Sequence, residues 1–240
     1  MPIILHQPPG RPFGMANLSP FCAKLELYLR MKGLPHEVCP ASPRGAPKGK
    51  IPYVKLEDGT LMGDSQLIIE RLEREHSPSM DAHLDDRQRA IGRVARRTLE
   101  EATYFIGMWH RWDRDQGWAV IRPVFEALLP PPARLFLPLI RRQVRGVLRG
   151  QGTGRHSLEE LTAMGLADWD AIVTLIGEGP FLFGEKPTTF DATVFAFADA
   201  FLSVPASSPL RDALLAKPAL IAYRDRVKAR WFPELVAATS

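Results

Sequence analysis

Cysteine is scarce in this sequence, with only Cys22 and Cys39 among its 240 residues. Two cysteines cannot build a disulfide framework or a cysteine-rich zinc site, and they favour a reducing compartment. His156 has no ligand partners near it in the sequence, so it is poor evidence for a metal site. We therefore expect a cytoplasmic protein that holds no metal.

Long apolar runs are also missing. No run approaches the ~20 residues that cross a bilayer, and residues 1–6 lack the basic and apolar regions of a signal peptide, so we expect neither feature. The formal net charge of +4 is mild and suits anionic small molecules as readily as nucleic acid. Because no nucleic-acid-binding motif accompanies this charge, we expect small-molecule partners and no nucleic acid.

Acidic residues are absent between positions 127 and 158, although this segment is rich in arginine. An apolar stripe lies opposite the arginines on the predicted helix, and a solvated face of a helical bundle accounts for it. Docking on an anionic membrane surface or on a protein partner is the alternative, and we do not expect contact with a membrane surface. The arginines are Arg134, Arg141, Arg142, Arg145, Arg149 and Arg155, and the stripe is Ile140, Val144, Val147 and Leu148.

The pattern of secondary structure changes near residue 80. Short strands alternate with helices before this point, with Asp58-Gly59 as the tight turn of an antiparallel hairpin, and only helical patterns follow it. The pattern predicts a small α/β module over residues 1–77 and an all-helical module over residues 82–240. Two capping boxes predict helix starts in the second module, Ser157 with Glu160 and Thr188 with Asp191, in which the acidic side chain reaches back to the N–H of the first residue. The predicted strands are 3–6, 36–39, 53–57 and 60–62, and the predicted helices are 21–31, 65–75, 85–116, 118–129, 133–149, 157–176, 192–202 and 219–230.

A serine and a cysteine lie three residues apart at the start of the first predicted helix. Ser19 occupies the N-cap position, where its hydroxyl can accept from N–H groups of the first turn, and Pro20 fits the first helical position. A helix start attracts anions, including thiolates, so the pair of Ser19 and Cys22 indicates thiol chemistry. By spacing alone, Cys22 is more often a buried packing thiol than a nucleophile.

Two further motifs mark the α/β module. Ile51-Pro52 precedes a strand, and a cis bond there would turn the Ile51 backbone outward to pair with a peptide-like ligand; an ordinary trans proline is the alternative. Asp64-Ser65 opens the next helix, where its groups could hold an ammonium and a carboxylate. Ordinary N-capping is the alternative for this pair.

In this order, the motifs resemble those of the glutathione transferase family. Ser19-Pro20-Phe21-Cys22 is similar to the catalytic serine or cysteine position, and Gly49-Lys50-Ile51-Pro52 to the family's Gly-Lys-Val-Pro segment with its cis-proline. Asp64-Ser65 looks like the acidic-Ser pair, and residues 184–191 look like the capping box of the C-terminal domain. Residues 19–26 and 152–160 resemble most the failed-axon-connections and metaxin-like branch.

The resemblance implies an α/β thioredoxin-like N-terminal domain followed by an all-α C-terminal helical bundle. It also implies a protein that binds glutathione, with no metal, and conjugates it to a small hydrophobic electrophile. Ser19 would donate a hydrogen bond to the sulfur, and Ile51 and Pro52 would hold the cysteinyl unit. Lys50 would meet a terminal carboxylate, while Asp64 and Ser65 would hold the γ-glutamyl end.

The site for the electrophile is predicted on the long helix. Tyr104, Met108 and Trp112 are spaced i, i+4 and i+8, and in similar proteins this helix lines the electrophile pocket; an interhelical core is the alternative. Two other functions stay open, a glutathione-dependent thiol oxidoreductase that uses Cys22 and a non-catalytic binding or scaffold protein that kept the fold. A homodimer is compatible with each of these functions.

Overall fold

Four short strands form one sheet near the start of the chain. The computed structural model describes residues 2–41 and 45–237, and the strand order is β2-β1-β3-β4. β2 runs parallel to β1, whereas β3 runs antiparallel to both β1 and β4. Leu5 at the centre of the sheet is fully buried, with Val38 and Val54 as its partners on the two sides. The strands are Ile3–Gln7 (β1), His36–Pro40 (β2), Tyr53–Lys55 (β3) and Leu61–Gly63 (β4).

Two helices complete this α/β module, α1 over Pro20–Lys32 and α2 over Ser65–Glu75. Gly33 ends α1 with a φ of 69°, a left-handed conformation that glycine adopts without strain. The predicted hairpin is confirmed, because the N–H of Leu56 donates to the carbonyl of Thr60 at 2.9 Å across the turn between β3 and β4. The module has the thioredoxin-like order of strands and helices that the resemblance implied.

After α2, the regular structure in the described part of the chain is helical. This confirms the predicted change from an α/β module to a helical one, and the division into residues 1–77 and 82–240 stays a prediction. The helices are Asp86–Arg97 (α3), Tyr104–Met108 (α4), Asp115–Leu128 (α5), Pro131–Arg134 (α6), Leu137–Gln151 (α7), Leu158–Ile176 (α8), Thr189–Ser203 (α9), Pro209–Leu215 (α10), Pro218–Trp231 (α11) and Pro233–Ala237 (α12).

One continuous helix over residues 86–113 contains two segments of π-helix. They are Thr98–Thr103 and Trp109–Asp113, and they flank α4. A π segment has more residues per turn than an α-helix, so it shifts the side chains that follow it around the helix axis. Ala102 is therefore exposed, while Thr103 is fully buried and donates to Asp168 at 2.7 Å.

Both predicted capping boxes lie at helix starts. Ser157 accepts from the N–H of Glu160 at 3.2 Å, and Glu160 accepts from the N–H of Ser157 at 2.8 Å. At the start of α9, Asp191 accepts from the N–H of Thr188 at 2.8 Å as predicted. The hydroxyl of Thr188 also donates to Asp191 at 2.7 Å. Thr188 and Asp191 together form the reciprocal capping box that begins α9.

One apolar core runs through both modules. It includes Leu5 and Val54 of the sheet, Leu25 of α1, and Phe195 and Phe197 of α9, all fully buried. α1 packs along α9, so the helix that carries Ser19 and Cys22 rests directly on the helical module.

The arginine-rich segment packs as a face of the helical module. Ile140 and Val144 pack against the core and Leu148 is buried, as the bundle interpretation requires, but Val147 of the predicted stripe is 57% exposed. Val147 precedes Leu148 by one residue, about 100° around the helix, so it falls outside the inward face. No helix in residues 2–41 and 45–237 is long and apolar enough to cross a membrane.

Candidate functional site

The predicted motifs of the α/β module meet at one end of the sheet. Tyr53 of β3 pairs with Gly63 of β4, so the residues just before and just after them, Pro52 and Asp64, lie next to each other. The Ile51-Pro52 bond is cis, which is the isomer that the ligand-binding interpretation predicted. Ile51 in turn lines the same cavity as Ser19 at the start of α1.

Ser19 and Cys22 differ sharply in their surroundings. Ser19 stands at the N-cap position of α1 and is half-buried, and its side chain makes no capping hydrogen bond, so the predicted capping role of its hydroxyl is wrong. The hydroxyl is therefore not used to cap α1, and Ser19 lines the cavity. Cys22 is fully buried, and burial raises the pKa of its thiol to about 12 although the hydroxyl of Ser19 acts in the opposite direction. The Cys22 thiol is therefore protonated at neutral pH.

The loop that leads to Ser19, residues 8–19, is held from three sides. Glu26 of α1 binds Arg11 of this loop, and Arg11 also donates to the carbonyl of Ala16. Asp199 of α9 accepts from the N–H of Ala16 at 2.8 Å, and Lys228 of α11 donates to the carbonyl of Gly14 at 3.0 Å. Both modules together therefore fix the position of Ser19.

Asp64 sits at the start of α2 in a conformation that is rare for a residue with a side chain, with φ at 83°. Its Oδ1 accepts from the N–H groups of Gln66 and Leu67 at 3.0 and 3.1 Å, so it is an N-cap. The carboxylate is also exposed, which leaves it accessible to a ligand. Ser65 beside it is 6% exposed.

A buried lysine ties the starts of the two helices together. Lys24 of α1 donates to Gln66 of α2 at 2.7 Å and to Glu100 of the first π segment at 2.6 Å. Burial lowers the pKa of Lys24, and the adjacent Glu100 opposes this shift. The Lys24–Gln66 bond holds the N-terminal ends of α1 and α2 close to each other, beside Pro52 and Asp64.

A cavity of about 210 Å³ opens between the two modules. The predicted pocket residues Tyr104, Met108 and Trp112 line it together with Ser19 and Ile51. These residues also contribute to the interhelical core, which was the alternative to a pocket. Trp112 is buried, and Tyr104 packs edge-to-face on Phe21 at 5.0 Å between ring centroids. The remaining lining residues are Pro8, Leu18, Pro20, Arg111, Ile121, Phe125 and Leu128.

Not every predicted site residue reaches this cavity. Lys50, Asp64 and Ser65 are not among the described residues that line it. Lys50 is exposed and directly precedes the cavity residue Ile51 in the chain. Among the described residues, no cluster of His, Cys, Asp and Glu could hold a metal ion.

Arg111 is a wall residue that the sequence analysis missed. It donates to the carbonyls of Leu18 and Ala200 at 3.3 and 3.0 Å, and burial lowers the pKa of its guanidinium to about 10. One signal was present in the sequence, because Arg111 is spaced i+3 from Met108 and i+7 from Tyr104. It therefore lies on the face that was predicted to line the pocket.

Comparisons with known proteins agree with this geometry. Residues 20–117 match the glutathione S-transferase N-terminal domain, and residues 165–227 match the glutathione S-transferase C-terminal domain. The chain is 30% identical to the isoprene-epoxide glutathione S-transferase of Rhodococcus sp., over 91% of this chain and 95% of that protein. The chain therefore belongs to the glutathione S-transferase family.

Two further similarities refine the placement. The chain is 31% identical to Failed axon connections of Drosophila melanogaster over 92% of this chain, and it spans 56% of that longer protein. This match confirms the resemblance to that branch. In fold, the chain is similar to a glutathione transferase homologue from Sulfitobacter solved with bound glutathione, with a TM-score of 0.57, 15% identity, and coverage of 99% of this chain and 96% of that one.

Proposed function

We propose that this protein binds glutathione in its α/β module and transfers the tripeptide through its sulfur to a small apolar electrophile. One observation carries the proposal: Ser19 and Ile51 of the α/β module face a single cavity with Tyr104, Met108 and Trp112 of the helical module. A hydroxyl donor at a helix start favours the thiolate form of a ligand thiol. The apolar walls beside it offer a place for the second substrate.

Each residue then has a role that its position supports. Ser19 donates a hydrogen bond to the glutathione sulfur, and the backbone of Ile51, with Pro52, pairs with the cysteinyl unit. Lys50, exposed beside Ile51, meets the carboxylate at the glycine end. Asp64 and Ser65 hold the ammonium and carboxylate of the γ-glutamyl end, where the α2 N-terminus also favours a negative charge.

The similar proteins support the choice of substrates. The Rhodococcus relative is named for isoprene epoxide and glutathione, so small apolar epoxides are the first electrophiles to test. The Sulfitobacter neighbour was solved with bound glutathione. A homodimer, a cytoplasmic location and domains at residues 1–77 and 82–240 belong to the same proposal.

Calorimetry with glutathione tests the first half of the proposal. Wild type should bind glutathione at millimolar concentration, and Ser65→Ala should weaken binding by about 1.5–3 kcal/mol, because it removes a hydrogen bond to a charged group. Ser157→Ala is the matched control, since it alters another helix start, at a residue that does not line the cavity, and should bind normally. Absence of binding to wild type would refute the proposal.

The structure favours the transferase over a Cys22-dependent oxidoreductase. Attack by Cys22 requires its thiolate, and the buried thiol has a pKa near 12. Turnover that is lost on alkylation of Cys22, with glutathione still bound, would instead support the oxidoreductase. Glutathione binding without turnover of any electrophile would support a binding protein that kept the fold.

A further inference from the structure

Arg111 places a positive charge in the wall of an otherwise apolar cavity. It lies in the π segment Trp109–Asp113, beside the pocket residue Trp112. Its two hydrogen bonds to Leu18 and Ala200 join the loop before Ser19 to α9. These bonds fix the guanidinium at the junction of the two modules, between the start of α1 and the apolar wall.

This guanidinium has no acidic partner in the described part of the chain. Its hydrogen bonds there go to two neutral carbonyls, and the only charge-forming group that contributes to its pKa is the phenol of Tyr104. With a pKa near 10, Arg111 is positive at neutral pH. Arg111 is half-buried, and a cation partly removed from water without a counter-ion costs free energy unless an anion meets it. The position therefore suits a negative charge that enters or develops in the cavity.

Two anions could meet Arg111, the glutathione sulfur and an oxygen of the second substrate. The sulfur already has the Ser19 hydroxyl and the α1 N-terminus. Arg111, in contrast, projects from the helix that carries Tyr104 and Met108, on the wall shared with Ile121 and Phe125. A nucleophile attacks carbon from the side opposite the leaving atom, so the departing oxygen lies deeper in the cavity than the sulfur. A hydrogen-bond donor in the cavity wall can therefore stabilise the departing oxygen.

We infer that Arg111 selects oxygen electrophiles, above all epoxides, by donating hydrogen bonds to the alkoxide that forms on ring opening. The inference rests on the proposed transferase function. In the reaction, the thiolate sulfur bonds to one ring carbon, the bond from that carbon to oxygen breaks, and its electron pair stays on the oxygen. The alkoxide next takes a proton from water, which balances the proton that the glutathione thiol released.

The test compares two electrophiles with and without Arg111. Ring opening of styrene oxide forms a localised alkoxide, whereas benzyl chloride loses a chloride ion, a weak base that needs little stabilisation by hydrogen bonds. Arg111→Met also removes the bond to the Leu18 carbonyl before Ser19, which should affect both electrophiles alike. The effect on selectivity is therefore read from the ratio of the two activities: kcat/KM for styrene oxide should fall about 10²-fold more than kcat/KM for benzyl chloride, the effect of losing one oxyanion donor. Arg111→Lys keeps the charge and should recover part of the styrene oxide activity. The ultraviolet absorbance of the bound thiolate should titrate as in wild type.

Arg122→Met is the matched control. It removes the same charge from α5, the helix that supplies Ile121 and Phe125, but Arg122 is exposed and pairs with Glu126, so both activities should persist. Equal losses for the two electrophiles, with a raised pKa of the bound thiol, would place Arg111 on the sulfur and overturn the inference. The inference is also overturned if wild type converts benzyl chloride but does not convert styrene oxide. Both results leave the proposed function intact. Failure of wild type to bind glutathione would refute both.

Discussion

At the scale of single residues, the environments of Ser19 and Cys22 decide which of them can act on a sulfur. Ser19 lines the cavity with a hydroxyl that the helix does not use. Cys22 lies one turn into α1 and is fully buried. The order of motifs pointed to this pair, and the spacing already favoured Cys22 as a buried packing thiol. The sequence could not show how deeply Cys22 is buried, because its burial depends on the packing of α1 against α9.

Ser19→Ala should lower activity near neutral pH while Cys22→Ala keeps most of it. Loss of the hydroxyl donor should raise the pKa of the bound glutathione thiol, and a rise of one pKa unit lowers the thiolate fraction at pH 7 by up to about tenfold. Activity of Ser19→Ala should therefore recover as the pH rises. The measurement is a pH–rate profile of wild type and both variants with one aromatic electrophile. An inactive Cys22→Ala beside a normal Ser19→Ala would reverse the assignment.

At the scale of helices and strands, local signals were enough to find most elements. Pro20 predicted the start of α1, the Ser157 capping box that of α8, and the turn at Asp58-Gly59 the hairpin. The same type of signal was overlooked at Ser208-Pro209, where the Ser208 hydroxyl accepts from the N–H of Arg211 at 3.1 Å and begins α10.

Other elements could not be predicted, because they depend on contacts far apart in the chain. The π segments follow no local pattern, yet they place Thr103 against Asp168 and Arg111 beside Ala200. The role of Arg111 depends on a carbonyl 89 positions away and on its lack of an acidic partner in the described residues. Neither condition can be seen in the residues that surround it in the sequence.

Gly117→Ala tests how tightly α5 packs on the second π segment. A Cβ at Gly117 would lie 1.8 Å from the carbonyl oxygen of His110, so α5 must shift, at a cost of about 1–3 kcal/mol. Gly146→Ala is the control, because nothing lies within 4 Å of its Cβ and alanine favours helix by about 1 kcal/mol. Denaturant unfolding should give changes of opposite sign. Stabilisation by both substitutions would contradict this packing.

Glu26→Gln should remove part of the dependence of stability on pH. Glu26 is buried and accepts from Gln7, Arg11 and Arg30. Burial opposes its ionisation, but the bonds from Arg11 and Gln7 and the charge of Arg30 hold the pKa of Glu26 below its usual 4.5. Because the folded-state pKa is depressed, Glu26 stabilises the fold above pH 4.5, and this contribution is lost as the pH falls through the folded value.

Unfolding of wild type and Glu26→Gln as a function of pH measures this effect. The variant should lose about 3 kcal/mol at pH 7, because Arg11 and Arg30 lose their shared partner, and the two proteins should converge in acid. Glu101→Gln is the control, since its pair with Arg97 is exposed and contributes less than about 1 kcal/mol. A constant difference between wild type and Glu26→Gln at every pH would contradict the assignment.

At the scale of the whole molecule, the helical module does more than supply the apolar wall. Asp199 of α9 holds the N–H of Ala16 and pairs with Lys228 at 2.6 Å, and Lys228 reaches Gly14. Asp81, between α2 and α3, in turn accepts from the N–H and hydroxyl of Thr189 at 2.8 and 2.6 Å. The segment before Ser19 and the start of α9 are therefore fixed across the two modules.

Asp199→Ala should weaken both the fold and the catalytic arrangement. It leaves the ammonium of Lys228 and the N–H of Ala16 without their shared acceptor inside the protein, which costs about 3–5 kcal/mol. Asp170→Ala is the matched control, because Asp170 pairs with Lys217 at the surface and its loss should cost less than about 1 kcal/mol.

Thermal unfolding gives the first comparison between Asp199→Ala and Asp170→Ala. At a temperature where both variants are folded, Asp199→Ala should also lose turnover relative to Asp170→Ala, because the loop that positions Ser19 is no longer held by α9. Equal stability and equal turnover of the two variants would show that the hydrogen bond between Asp199 of α9 and Ala16 of this loop does not position Ser19.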